Sequence, residues 1–527
     1  MAYTDFSFKK VLPLSLFMIV LSAAIVTTFA WKADAFGSTP FFRAVRLFAE
    51  ETAVYGIFAI RHYDHQLAAA AASVGGPDTA AASVPTASLA QAIPVLTYHR
   101  LGVFGSDNQN VSLQNFMDQM ETLSANGWHT ITLEQYEAFM KGKIALPAKS
   151  FLLTFDDGAQ QSVYPVDPIL KTLGFTAVEY IIVAASEEQG STYYLSQAQI
   201  AHMLASGRWE IGSHSYDGHR EYPTGPNGET GVFFADKLWL PDQDRLETSD
   251  EFAQRVTRDL TEAKQDLEST YGVTVNTFAF PFGGESGINA AGNFPQGEST
   301  SEQIASQIYD IGWLQTARKD FTYNYPAYAG FLQYRIHVDH DWDGQRLLAE
   351  LENGLPKVLP YTDSMQENRG WMDSWGTVQA GGVLALSATS SQTSASSILD
   401  GSRLWKDYEF DATVSWHTGY AFLLADATNA RTYRDCTFAD GVVEIQDTTN
   451  ASITTLKKRF DSSIKSGDDI PLGIRVSGDT ISCLYDGNVV LTYEGLASRQ
   501  GGIGVQAWNP QPGTAGLTVT HVAVSAL

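Results

Sequence analysis

The sequence predicts two folded domains of different class: an α/β domain on a parallel sheet, closed as a barrel or left open, and then an all-β sandwich. Three observations carry this. Between residues 93 and 359, short apolar runs alternate with segments whose apolar residues fall at helical spacing, the pattern of repeated strand and helix units. From about residue 370 that spacing gives way to short alternating strands and turns. Ahead of both lies an uncharged apolar run, residues 11–30, which as a helix would span about 30 Å, the thickness of a bilayer core.

Lys9 and Lys10 precede that run and set the N-terminus inside. The length favours a retained transmembrane anchor over a cleaved signal, whose apolar region is about 7–15 residues. Ala33-Asp34-Ala35, however, has the small-x-small form of a cleavage site. Residues 1–35 therefore read as anchor or signal, and either way the rest of the chain is exported, to the periplasm or the cell exterior. Residues 36–66 read as a juxtamembrane helical segment. Residues 67–92 are dominated by Ala, Ser, Thr, Pro and Gly, with Asp78 the one charge, and read as a flexible linker.

In the α/β region, residues 93–359, a strand at 95–98 ends at His99. Ser112 caps a helix carrying Leu113, Phe116, Met117, Met120 and Leu123, and Gly127 ends it. Strands follow from Phe151, over 178–184, and at Trp209 leading into His214. Residues 221–250, rich in Pro, Gly and charge, read as an inserted loop. Ser249 then caps a long helix with Phe252, Val256, Leu260, Ala263 and Leu267 on one face, before a strand over 275–280 and a helix carrying Ile304, Ile308 and Ile311. In the sandwich, residues 370–527, strands are expected at 408–414, 442–446, 472–476, 481–485 and 517–524, with Asp486-Gly487 as a hairpin turn.

The 34 Lys and Arg against 59 Asp and Glu give a net charge of −25, which makes nucleic acid and anionic lipid headgroups poor partners. That acidity serves solubility or a cationic ligand. The two cysteines, Cys436 and Cys483, exclude a disulfide framework and a cysteine-built metal site. They form one bridge in an exported domain or remain two core thiols.

Chemistry concentrates in FLLTFDDG, residues 151–158, where a buried strand runs into Asp156 and Asp157 at its C-terminal rim. Adjacent carboxylates can divide labour, one binding a cation and the other moving a proton. His214 and His219 in HSYDGH add two imidazoles. With Asp157 they make a set of three protein ligands with an open position, the arrangement of a catalytic zinc or similar divalent ion.

TFDDG, HSYDGH and FAFPFGG, in that order and spacing, resemble the polysaccharide deacetylases of the NodB-homology class, carbohydrate esterase family 4. The resemblance covers about half the chain and implies a (β/α) barrel-like domain. The His-x4-His spacing and the early Tyr-His of IPVLTYHRL resemble the branch acting on poly-β-1,6-N-acetylglucosamine. It implies Asp157, His214 and His219 as metal ligands, Asp156 as general base, His99 as general acid, and the Pro281-Phe282 step as the backbone donor to the oxyanion. His337 is the rival acid; His340 and His202 read as structural. Ala279 stands where many family members carry the arginine that orients the base, and Arg335 and Trp342 read as rim packing. The last domain resembles concanavalin-like sandwiches that accompany carbohydrate enzymes, through GIGVQAWN and the final LTVTHVAVSAL; Trp508 and Tyr433 are its candidates for stacking on sugars or for packing. The resemblance implies N-deacetylation of an N-acetylglucosamine polymer, with peptidoglycan or chitin as other substrates and a catalytically silent glycan-binding protein as the rival class.

Overall fold

The structure, a computed structural model, describes residues 89–102, 110–188, 191–283, 292–316 and 320–527. The expected anchor, the juxtamembrane segment and the linker up to residue 88 lie outside the described residues. Among the described residues, no helix is long and apolar enough to cross a membrane. Two compact units divide the chain: 1–316 with 324–348, and 317–323 with 349–527.

The first unit is built on eight parallel strands, β1 (Val95–Tyr98), β2 (His129–Thr130), β3 (Ser150–Phe155), β4 (Ala177–Ile181), β5 (Trp209–Ser213), β6 (Thr277–Ala279), β7 (Ile311–Thr316) and β8 (Leu332–His337). Their order is β1-β8-β7-β6-β5-β4-β3, and β1 also pairs with β3 over Val95↔Leu152 to Tyr98↔Phe155. That last pairing closes the sheet into a seven-stranded barrel, with β2 paired to the first two residues of β3. The sequence left barrel and open sheet both standing; the closure depends on a pairing between residues more than fifty positions apart, which no local pattern encodes.

β3 is buried at all six positions and β4 at all five, as strands covered on both faces require. Around the sheet, α1 (Leu113–Ala125) is capped by Ser112 and buries Leu113, Phe116, Met117, Met120 and Leu123, as expected. The long helix α2 (Ser249–Tyr271) is capped by Thr248 rather than Ser249, because Thr248 accepts from the Glu251 amide while Glu251 reaches back to the Thr248 amide. The expected strand over 178–184 stops at Ile181, and Val183–Glu187 turns helical. Ile311 opens β7 instead of extending α3 (Gly297–Ile308). The insertion over 221–250 holds two small hairpins, Glu221–Pro223 with Thr230–Val232 and Trp239–Leu240 with Arg245–Leu246.

The second unit is all β. One antiparallel sheet runs Thr377–Gly381, Val383–Ser387, Gly516–Ala526, Tyr408–Trp416, Gly467–Ser477, Thr480–Tyr485 and Asn488–Tyr493, with Tyr361–Asp363 added beside Gly516–Ala526. The other runs Trp371–Trp375, Ser394–Leu399, Gly502–Trp508, Tyr420–Asn429, Thr432–Ala439, Val442–Thr449 and Ser452–Phe460. Phe410, Ile474 and Val522 of the first meet Phe438, Ile445 and Val505 of the second in one core. Asp486 and Gly487 take φ of 48° and 73°, the left-handed pair that a two-residue hairpin turn needs.

Cys436 and Cys483, one from each sheet and 47 residues apart, are bridged. Loop-closure entropy assigns such a bridge about 4 kcal/mol. Replacing both cysteines by alanine is expected to lower the stability of this domain by about that amount in urea titrations monitored by tryptophan fluorescence; an unchanged midpoint would show that the bridge does not stabilise it.

Candidate metal centre

The site is assembled where β3, β5, β6 and β8 end. β3 delivers Asp156 and Asp157, and the chain then turns sharply, with Asp157 at φ 80° and Gly158 at φ 70°. A side chain at Gly158 would be strained in backbone and would press Ile181 Cδ1 at 3.3 Å, so glycine is favoured here. The turn puts the two carboxylates in different environments.

Asp156 is buried and meets Arg335 of β8 in a two-pronged pair, Nη1 to Oδ1 and Nη2 to Oδ2, each 2.6 Å. Burial raises its pKa, and the Arg335 charge and hydrogen bonds, together with the nearby histidines, outweigh that and hold it below the usual carboxylate range. The chain thus supplies an arginine to Asp156 although position 279 is alanine. The sequence reading of Arg335 as rim packing is corrected: it is 1% exposed, and a guanidinium so placed needs a carboxylate.

Asp157 faces two imidazoles. His214 donates from Nδ1 to the Ala279 carbonyl at 2.8 Å, which turns its Nε2 toward Asp157 Oδ1 at 3.6 Å. His219 Nε2 lies 3.3 Å from the same oxygen. Asp157 Oδ1 is buried with no hydrogen-bond partner. A tetrahedral ion bound at 2.0–2.2 Å keeps its ligand atoms about 3.4 Å apart, so both separations fit a divalent ion such as zinc. Burial, reinforced by His214, pushes His219 down to about 4, which leaves its lone pair free for a metal at neutral pH.

Two further buried carboxylates hold the loops that carry Asp157, His214 and His219, and the sequence reading missed both. Glu179 of β4 accepts from the Gly158 amide at 3.0 Å, with the Ser162 hydroxyl 3.0 Å from both of its oxygens. Asp259 of α2 accepts from the amides of Tyr216 at 3.1 Å and Asp217 at 2.9 Å, inside the His214–His219 loop. The signal was an acid within an apolar strand and another on the apolar stripe of a helix, next to Leu260.

His99, just after β1, and His337, ending β8, stack edge to face with ring centres 5.7 Å apart, so the two candidate acids share one corner of the rim. Phe282, at φ 63°, stacks on His219 at 4.8 Å, which brings the Pro281-Phe282 step to the ligand cluster. Trp342 is buried and its carbonyl accepts from Gln119 at 2.8 Å, a packing role. His340 accepts through its carbonyl from Asn115, and His202 lies on the exposed side of the helix Gln197–Ala205.

Arg335→Met is expected to cost about 3–5 kcal/mol in urea unfolding, and adding Asp156→Asn to restore much of it, because the loss comes from stranding a buried charge. Two additive losses would mean that the residues act separately. Asp259→Ala is expected to weaken metal binding about 10- to 100-fold in chelator competition with a folded protein; unchanged affinity would leave Asp259 without a part in the site.

Residues 143–290 match the family model described as polysaccharide deacetylase. The chain is 20% identical over 314 residues to the poly-beta-1,6-N-acetyl-D-glucosamine N-deacetylase of Escherichia coli (strain K12), covering 55% of this chain and 47% of that one. It is 25% identical over 181 residues to the protein of the same name from Staphylococcus epidermidis, covering 33% and 55%. The chain thus spans about half the length of these relatives. Among solved structures it is similar to the BpsB deacetylase domain from Bordetella bronchiseptica, with a TM-score of 0.40, 24% identity, and coverage of 47% of this chain and 96% of that one.

Proposed function

We propose that this chain is a metal-dependent N-deacetylase that hydrolyses the acetamide groups of an N-acetylglucosamine polymer, poly-β-1,6-N-acetylglucosamine or a related exopolysaccharide. One observation carries the reading: within the matched segment, two adjacent aspartates are divided between a carboxylate held by Arg335 and a carboxylate facing two histidines. The names of the relatives support the substrate. The apolar run at 11–30 supports export with the catalytic domain held at the membrane.

Asp157, His214 and His219 would hold the ion. When bound it supplies Lewis acidity toward the acetamide carbonyl and the attacking water. Asp156, ionised through Arg335, takes the proton of that water, and the fixed fork keeps its oxygens oriented. The backbone at Phe282 donates to the oxygen on which negative charge develops. His99 gives a proton to the departing amine, so that acetate and a free amino sugar leave. His337 suits that step less well, since burial and the neighbouring His99 push it down to about 4 and leave it without an acidic proton at neutral pH.

The deciding experiment is acetate release by the purified full-length chain from poly-β-1,6-N-acetylglucosamine, chitin oligomers and peptidoglycan, with Asp156→Asn as control. Release from the first that disappears in the control is expected. Preference for chitin or peptidoglycan would reassign the substrate, and no release from any of them with metal bound would favour the silent glycan-binding protein. His99→Ala is expected to lower kcat about 100- to 10,000-fold, and His337→Ala far less; the reverse order would exchange their roles.

A further inference from the structure

The second domain carries a polar and aromatic face that the deacetylase reading leaves unused. Along Thr432–Ala439, Cys436 and Phe438 point into the core between the sheets, so by alternation Tyr433, Asp435 and Thr437 point to the opposite, outer face. The register extends this face sideways. Thr437 pairs with Glu444 and Phe422, and Phe422 with Gln506, while the next row aligns Tyr420 with Trp508. Trp375, Tyr420 and Trp508 are half-buried and pack on the same outer cluster, with the Tyr420 and Trp508 rings 5.2 Å apart. Half-exposed aromatic rings thus flank a floor of carboxylates, hydroxyl and amide.

Two atoms on this face lack partners where partners are needed. Asp435 is 1% exposed, and its Oδ2 is buried without a hydrogen bond while Oδ1 accepts from Thr437 at 2.6 Å. Trp375 Nε1 is likewise buried without an acceptor. An orphan acceptor of this kind destabilises the fold unless something satisfies it. The charges acting on Asp435 are other carboxylates, Glu444 and Asp447, and with burial as the main cause they push it up to about 7. Lys458 is already committed to Glu444 at 2.7 Å. Among the described residues no ion pair joins a cation to Asp435, and the Tyr420 and Trp508 rings stand two rows farther along the same face, about 13–14 Å away by strand rise.

We infer that this outer face binds a partly de-N-acetylated glucosamine chain, with a sugar ammonium on Asp435 and pyranose rings against Trp508 and Tyr420. The inference rests on the proposed deacetylation for its ligand, since that reaction turns neutral acetamides into ammonium groups. A charge-assisted bond from ammonium to carboxylate satisfies the orphan oxygen and offsets the like-charge crowding. Amphipathic rings suit a ligand with apolar ring faces and polar edges.

The test is calorimetric titration of the full-length chain with a β-1,6-linked glucosamine tetrasaccharide, fully acetylated and half deacetylated, at low salt. The half-deacetylated form is expected to bind at least about tenfold tighter, with that preference lost in Asp435→Asn and overall affinity reduced about tenfold in Trp508→Ala. Trp508 is half-buried at a sheet position and serves if Asp435→Asn fails to fold. Asp156→Asn is expected to keep this binding, which separates the face from the barrel site. Equal affinity for the two tetrasaccharides, or affinity unchanged by both sandwich variants, overturns the inference. Binding does not require turnover, so a chain that releases no acetate yet prefers the deacetylated tetrasaccharide would overturn the deacetylase reading and leave this one standing.

Discussion

Asp156 leaves the end of β3 and Arg335 stands on β8, and β1 is hydrogen-bonded between those two strands. The ion pair therefore forms only once the ring is closed in register. Removing two charges from water costs several kcal/mol for each, and a pair repays that only with good geometry and satisfied lone pairs. Here the geometry is two parallel 2.6 Å bonds, with the Thr154 hydroxyl 3.3 Å from the same guanidinium and the Tyr180 ring 5.3 Å beneath it. A slip of one residue in β8 would turn Arg335 to the other face and strand Asp156. The closure of the barrel and the pairing of Asp156 with Arg335 are the same structural event.

From that fixed point, the neighbouring carboxylate acquires a different chemistry through backbone conformation alone. The left-handed φ at Asp157 turns it out of line with Asp156 and toward His214 and His219. Two like charges on consecutive residues would otherwise repel and share a single proton. Arg335 beside one and the hydrogen bond with His214 beside the other hold both below the usual carboxylate range. Glu179 and Asp259 hold the two loops by their amides, so the donor set is fixed by hydrogen bonds that never touch a ligand atom.

What was legible in the sequence follows the range of each interaction. Asp156, Asp157, His214 and His219 stand in short motifs directly after strands, so local pattern sufficed to find them, and the structure brings Asp157, His214 and His219 together. The apolar faces of α1 and α2 were legible for the same reason. Arg335 was not, because its meaning lies in a partner 179 residues away. Asp259 was hidden by its own helix, since one acid on an apolar stripe reads as a break in the stripe until its amide partners are known. The order of strands in the barrel and in both sandwich sheets, and the Cys436–Cys483 bridge, likewise depend on contacts that spacing does not encode.

The acidity of the chain shows the same limit from another side. A net charge of −25 reads as solubility when only composition is known, and most acidic residues can serve that purpose. A solubilising charge has to sit in water. Asp435 does not: its neighbour Cys436 is tied across the core, which fixes the strand's facing, and the carboxyl is buried with one oxygen unpaired. Solubility therefore cannot account for it, and neither can the stability of the isolated sheet, which an unpaired buried acid reduces. An ammonium group on the proposed amino-sugar ligand would satisfy that oxygen, which neither solubility nor the packing of the sheet does.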